Sequence, residues 1–201
     1  MKKLVYLISP DKINKHFYKD LDKVLSYGNT KFFQLRLKNI KKNKILKVGK
    51  AIRKITNKHK VYFIINDKYN LVPKMKADGC HMGQLDGSTK IARKIIKQKI
   101  LGITCHNSKR LALRAYIDQA TYLAFGSFFK SKLKPNARKA NLSILKWSKK
   151  NINIPIVAIG GINNLNYKKL LKSGAKYIAI SSFIWNNPKQ KPFEAIKEFN
   201  L

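Results

Sequence analysis

Acidic residues are scarce in this chain of 201 residues: nine Asp and Glu stand against 44 Lys and Arg, a formal charge of +35. None lies between Gln119 and Phe193. The two cysteines, Cys80 and Cys105, fall inside apolar runs and suit a reducing compartment rather than a disulfide framework. No apolar run approaches the roughly 20 residues needed to span a bilayer. The start, Met1-Lys2-Lys3-Leu4-Val5-Tyr6-Leu7-Ile8, imitates the basic end of a signal peptide but breaks at Ser9-Pro10-Asp11 without a small-residue cleavage site. It reads as a first strand. Pro/Ser/Gly-rich tracts and short repeats are also missing, and 44% of the residues are hydrophobic, so a single domain over residues 1–201 with one buried core is expected. The expected location is the cytoplasm, with no membrane partner.

The excess of positive charge has two readings. A basic surface attracts polyanions, including nucleic acid and phosphorylated metabolites. However, Lys supplies 38 of the 44 basic residues and Arg only 6, with Asn and Ile also abundant, a mixture that codon bias toward A and T produces. The lysines are spread over nearly every helical segment, and no RNA-binding signature with interleaved aromatics is present. Compositional drift is the simpler reading, and no specific nucleic-acid partner is expected. Arginine is rare enough that each one is informative.

Short apolar, β-branched-rich runs recur at Val5–Ile8, Phe32–Arg36, Val61–Asn66, Gly79–Gly83, Ile100–Cys105, Tyr122–Gly126, Ile156–Gly160 and Tyr177–Ser181. Most are continuously apolar, as in strands buried on both faces of a parallel sheet. Between them, Leu21-Val24-Leu25, Ile45-Val48-Ile52-Ile55 and Ile91-Ile95-Ile96 recur at helical steps. Asn107-Ser108 and Asn163-Asn164 are candidate helix caps. Eight β-then-α units predict an α/β fold, a single (β/α)8 TIM barrel. The alternative is an open doubly wound sheet, but no Gly-rich fingerprint follows the first strand.

In such a barrel the C-terminal strand ends build the active site. Gln34, Arg36 and Lys38 alternate with Phe33, Leu35 and Leu37, so a period of two turns the polar trio to one face, the barrel mouth. Arg36 can grip phosphate oxygens bidentately and Lys38 adds a point charge. Asp67 and Asp86 close strand three and follow strand four. Two carboxylates at one mouth repel unless a cation or proton lies between them, and Mg²⁺ suits such a pair. Capping of the following helices is the structural alternative for both. Asp78 precedes its strand and reads as a turn residue. Gly160-Gly161 and Ser181-Ser182 follow strands seven and eight, where phosphate sites are common. Residues Gly126 to Pro135 form a cationic loop long enough to act as a lid. His81 and His106 read equally well as structural or functional, and four scattered histidines, with Cys80-His81 lacking metal-ligand spacing, argue against a zinc site.

Gln34-Leu35-Arg36-Leu37-Lys38, Asn66-Asp67, the run from Asp78 through Gly79-Cys80-His81-Met82-Gly83-Gln84-Leu85 to Asp86, and Ala158-Ile159-Gly160-Gly161-Ile162 together resemble the thiamine phosphate synthase family over essentially the whole chain. The resemblance implies a transferase joining 4-amino-5-hydroxymethyl-2-methylpyrimidine diphosphate to 4-methyl-5-(2-phosphoethyl)thiazole with Mg²⁺, releasing pyrophosphate. By position, Asp67 and Asp86 would hold the Mg²⁺. Arg36, Lys38, Asn66 and Lys134 would contact the diphosphate, with Arg36, Lys38, Lys134 and Thr104 forming the catalytic set. Gln34 and Thr104 would face the pyrimidine or its leaving group. Gly161, Ser181 and Ser182 would bind the thiazole phosphate, and Ser131 joins the substrate-binding set.

Two departures stand out. Thr104 occupies a position where the family typically has Ser, which keeps the hydroxyl. The strand-six loop reads Lys130-Ser131-Lys132-Leu133-Lys134 where the family has Pro-Thr-x-Thr-Lys, so Leu133 removes one hydroxyl contact. The alternatives carried are a thiazole tautomerase of the same barrel family, using His106 or His81 as its acid–base group, and a non-catalytic nucleic-acid binder. Expected partners are the two small-molecule substrates, with homo-oligomerisation left open.

Overall fold

The computed structural model describes residues 3–130 and 139–200. Eight parallel strands, β1 (Val5–Ile8), β2 (Thr30–Leu35), β3 (Tyr62–Asn66), β4 (Gly79–Met82), β5 (Ile100–His106), β6 (Tyr122–Phe125), β7 (Ile156–Ile159) and β8 (Tyr177–Ile180), pair in sequence order. β8 returns to β1, with Val5 opposite Ile178, so the sheet closes into a barrel. An open doubly wound sheet is excluded.

Helices cover the outside: α1 (Phe17–Ser26), α2 (Lys42–Lys58), α3 (Thr89–Ile96), α4 (Lys109–Ile117), α5 (Leu142–Asn151), α6 (Tyr167–Lys172), α7 (Ser182–Trp185) and α8 (Pro192–Lys197). α1 buries Leu21, Val24 and Leu25, and α2 buries Ile45, Val48 and Ile52, the spacing that the sequence pattern predicts. Full burial of each such side chain contributes about 1.5–3 kcal/mol. Ser108 caps α4, its hydroxyl accepting from Leu111 N at 3.2 Å. Among the described residues, no helix is long and apolar enough to cross a membrane.

The pleat divides the apolar side chains into two layers. Phe33, Leu35 and Ile65 point outward into the core between sheet and helices. Tyr6, Phe32, Ile64, Tyr122, Val157 and Tyr177 fill the barrel interior. Phe32 and Tyr177 meet edge to face with ring centres 5.1 Å apart.

Several local expectations are corrected. The third unit has no helix of its own, only a 3₁₀ turn at Tyr69–Leu71. α3 buries Ala92 and Ile96 and leaves Ile91 and Ile95 exposed at 51% and 42%, so of the three isoleucines expected on the core face only Ile96 is there. Asn163 caps the turn before α6, accepting from Leu165 N and Asn166 N, while Asn164 instead donates to Glu198. At the opposite end from the mouth, Asp78 accepts from Arg53 at 2.5 Å and from Phe63 N at 2.7 Å, a structural turn as expected. Arg93 donates there to the carbonyls of Lys97, Lys99 and Gln119, stitching together the αβ loops that precede β5 and β6.

Candidate active site

A cavity of about 1030 Å³ opens at the C-terminal ends of the strands. Its wall includes every described residue that the sequence nominates for the site: Gln34, Arg36, Lys38, Asn66, Asp67, Asp86, Thr104, Gly161, Ser181 and Ser182. The nominated Ser131 and Lys134, with Leu133, lie in 131–138, outside the described residues. Lys130, at the start of that loop, lines the cavity.

On the β2–β3 side, Gln34 donates from its Nε2 to Asn66 Oδ1 at 2.5 Å, which leaves the Asn66 amide nitrogen as a donor for a ligand. Ser9 accepts from Arg36 N at 2.9 Å, fixing the backbone where β2 leaves the sheet. The guanidinium of Arg36 reaches Asp11, a contact with no signal in the sequence.

Asp67 and Asp86 are within hydrogen-bonding reach of each other. Asp67 N donates to His81 O at 2.8 Å, and Asp86 Oδ2 accepts from Gly83 N at 2.7 Å. Neither side chain caps a helix. Burial, then the hydrogen bond and charge of Asp86, push the Asp67 carboxyl up to about 6, against the opposing pull of Lys38 and Arg36. Two adjoining carboxylates that must otherwise share a proton form an oxygen donor set suited to a hard divalent cation. Among the described residues, no group of three or more His, Cys, Asp and Glu side chains converges.

Across the mouth, Gly160 and Gly161 turn β7 away with φ of 99° and 61°. A Cβ on Gly161 would lie 2.4 Å from the Lys130 carbonyl oxygen, so backbone packs where a side chain would be. Asn166 donates to Gly161 O at 3.0 Å, and Ser181 donates to Ser9 O at 3.2 Å. These bonds hold a rim of backbone and hydroxyl groups around the cavity.

Other residues that reach this cavity were not nominated. Gln84 donates to Thr104 O at 2.6 Å, and Asn163 and Asn186 line the rim. Gln84 sits inside the motif already singled out, and Asn186 follows the Ser181-Ser182 pair by a few residues. His106 lines the mouth, whereas His81 lies deeper and is 9% exposed.

The family model described as thiamine monophosphate synthase matches residues 5–184. The chain belongs to the thiamine monophosphate synthase family. It is 55% identical over 198 residues to a thiamine-phosphate synthase of Pelagibacter ubique, covering 98% of this chain and 96% of that one. A thiamine-phosphate synthase of Clostridium tetani is 40% identical, with 90% and 87% covered. Among solved structures, a thiamine phosphate pyrophosphorylase of Pyrococcus furiosus superposes with a TM-score of 0.87 at 28% identity, covering 98% of this chain and 93% of that one. These likenesses are all to synthases, and the tautomerase alternative is not favoured.

Proposed function

We propose that the whole chain acts as one barrel domain that condenses 4-amino-5-hydroxymethyl-2-methylpyrimidine diphosphate with 4-methyl-5-(2-phosphoethyl)thiazole, giving thiamine phosphate and pyrophosphate. The observation that carries this reading is one mouth where Arg36 and Lys38 face the Asp67–Asp86 pair. Cations flanking paired carboxylates suit a diphosphate that arrives with a divalent metal.

Asp67 and Asp86 would hold Mg²⁺, which supplies positive charge to neutralise the departing diphosphate. Arg36 and Lys38 bind diphosphate oxygens and resist their recoil into water. Asn66, oriented by Gln34, donates to the same group, and Lys134 adds charge from the loop after β6. The bond between the pyrimidine methylene carbon and its bridging oxygen breaks, and its electron pair leaves with pyrophosphate. The thiazole nitrogen donates its lone pair to the exposed carbon, forming the new C–N bond. No proton need move, so the reaction requires no general base. Gly161, Ser181 and Ser182 anchor the thiazole phosphate and hold the nitrogen close, so orientation replaces a bimolecular encounter. The expected setting is the cytoplasm.

The test is product formation from both substrates by the purified chain, with Mg²⁺ and then with EDTA. Mg²⁺-dependent thiamine phosphate is expected. A folded protein that makes none would overturn the reading.

A further inference from the structure

A line of hydrogen bonds runs from the barrel interior, where the almost wholly buried Tyr6 borders the floor of the cavity, up to Thr104. Tyr6 Oη and Tyr122 Oη are 2.7 Å apart, Tyr122 Oη is 2.8 Å from His81 Nδ1, and His81 Nε2 is 2.8 Å from Thr104 Oγ1. It joins β1, β6, β4 and β5. The two tyrosines are each 1% exposed. The His81 ring stacks on Tyr122 with centres 5.6 Å apart and planes 12° from parallel. Gly102 makes room for this arrangement, since a Cβ there would lie 1.9 Å from Tyr122 Cζ.

The inner end of the line, where the buried Tyr6 hydroxyl has one protein partner among the described residues, sets its direction. Each hydroxyl has one proton, and a neutral imidazole has one N–H. If the bonds ran inward, Thr104 would donate to Nε2, Nδ1–H to Tyr122, and Tyr122 to Tyr6. The Tyr6 proton would then need a further acceptor, yet among the described residues Tyr6 Oη bonds only to Tyr122. A fully buried O–H without an acceptor is penalised. Run outward, every proton is used: Tyr6 donates to Tyr122, Tyr122 to Nδ1, and Nε2–H to Thr104. The Thr104 proton then turns to the cavity.

We infer that Tyr6 and Tyr122 are positioning residues that act through His81, fixing its Nε2–H tautomer so that the Thr104 hydroxyl is aimed to donate to the substrate. The inference rests on the reading above, in which Thr104 faces the pyrimidine diphosphate. The ligand group it serves is an acceptor, a leaving oxygen or a ring nitrogen. No proton is transferred along the line. Its effect is preorganisation, since a donor already aimed needs no reorientation when charge develops. If the two tyrosines only filled the core, their hydroxyls would not influence Thr104.

Two measurements on the full chain decide this. Long-range ¹H–¹⁵N spectra of histidine-labelled protein report the tautomer directly, with the His81 signals identified by their loss in His81→Asn. A protonated Nε2 and an accepting Nδ1 are expected, and a protonated Nδ1 overturns the inference. This readout needs no altered tyrosine and no turnover, so it stands even if the chain makes no thiamine phosphate. The second measurement is a double-mutant cycle. Tyr122→Phe should lower kcat by roughly tenfold, the scale of one lost buried hydrogen bond, with the KM for the pyrimidine diphosphate unchanged. In a Thr104→Val background the same change should have no further effect, while Thr104→Ser should keep the sensitivity. Equal losses in both backgrounds, or a change in KM alone, would reduce the tyrosines to packing.

Discussion

Arg36 donates to Asp11 Oδ1 at 3.0 Å, so the guanidinium proposed to bind the diphosphate already holds a carboxylate. Asp11 is half exposed and a pair of this kind contributes about 0.2–1 kcal/mol. On the proposed function, an incoming diphosphate competes with Asp11 for this guanidinium. Asp11→Asn is therefore expected to lower the KM for the pyrimidine diphosphate by up to about fivefold, with little change in kcat. Steady-state kinetics check this, and a raised KM would mean that Asp11 aims Arg36 instead.

The Asp67–Asp86 pair makes stability depend on pH when metal is withheld. The folded Asp67 carboxyl, at about 6 rather than 3.8, binds its proton more tightly than in the unfolded chain. Folding is therefore favoured at low pH and loses stability as pH rises from about 4 through 6, by about 1 kcal/mol once solvent screening is allowed for. In EDTA, Asp67→Asn should remove this slope and raise the Tm at pH 7.5. Thermal melts at pH 5 and 7.5 test the sign.

The same carboxylates are expected to be indispensable for turnover. Asp86→Ala should cost at least about 10²-fold in rate. A variant that keeps full Mg²⁺-dependent activity would remove Asp86 from the proposed metal site.

Gly161 offers a test confined to the other half of the cavity. With φ of 61° and the Lys130 carbonyl against it, Gly161→Ala forces the turn to shift. The KM for the thiazole phosphate should rise about tenfold or more, while that for the pyrimidine diphosphate stays within about twofold. Equal losses for both substrates would point to general collapse.

The +35 charge predicts only loose nucleic-acid binding. Gel shifts should show association that weakens steeply with salt and is micromolar or weaker near physiological ionic strength. Nanomolar binding there would reopen the nucleic-acid reading.

What could be foreseen from the sequence follows from which constraints are local. Gln34, Arg36 and Lys38 were legible because a strand alternates with period two and an interior strand has only one open end for charge. Asp67 and Asp86 stood out because carboxylates are rare here. The Arg36–Asp11 pair was not legible because it depends on how the loops after β1 and β2 leave the sheet, nor was the line from Tyr6 to Thr104, which the closed barrel gathers from β1, β4, β5 and β6. Ile91 and Ile95 misled for a related reason. Their spacing is helical, but small Ala92 sets how closely α3 approaches the strands, and composition does not encode that choice. The short third unit escaped notice because a 3₁₀ turn leaves no periodic trace.

Asn29 lies fully buried in the turn between α1 and β2, and its amide donates to the carbonyls of Ile196 and Phe199. β1 likewise has β8 as one of its two neighbours. During synthesis the first βα unit therefore waits, with one strand edge bare and a polar amide unanswered, until the stretch from Tyr177 to Asn200 has left the ribosome. The ring is a clasp whose two halves are made at opposite ends of translation. A nascent chain halted before residue 177 would expose both an unpaired β1 edge and the apolar seat of α8, the features that chaperones bind and that lead stalled chains to aggregate.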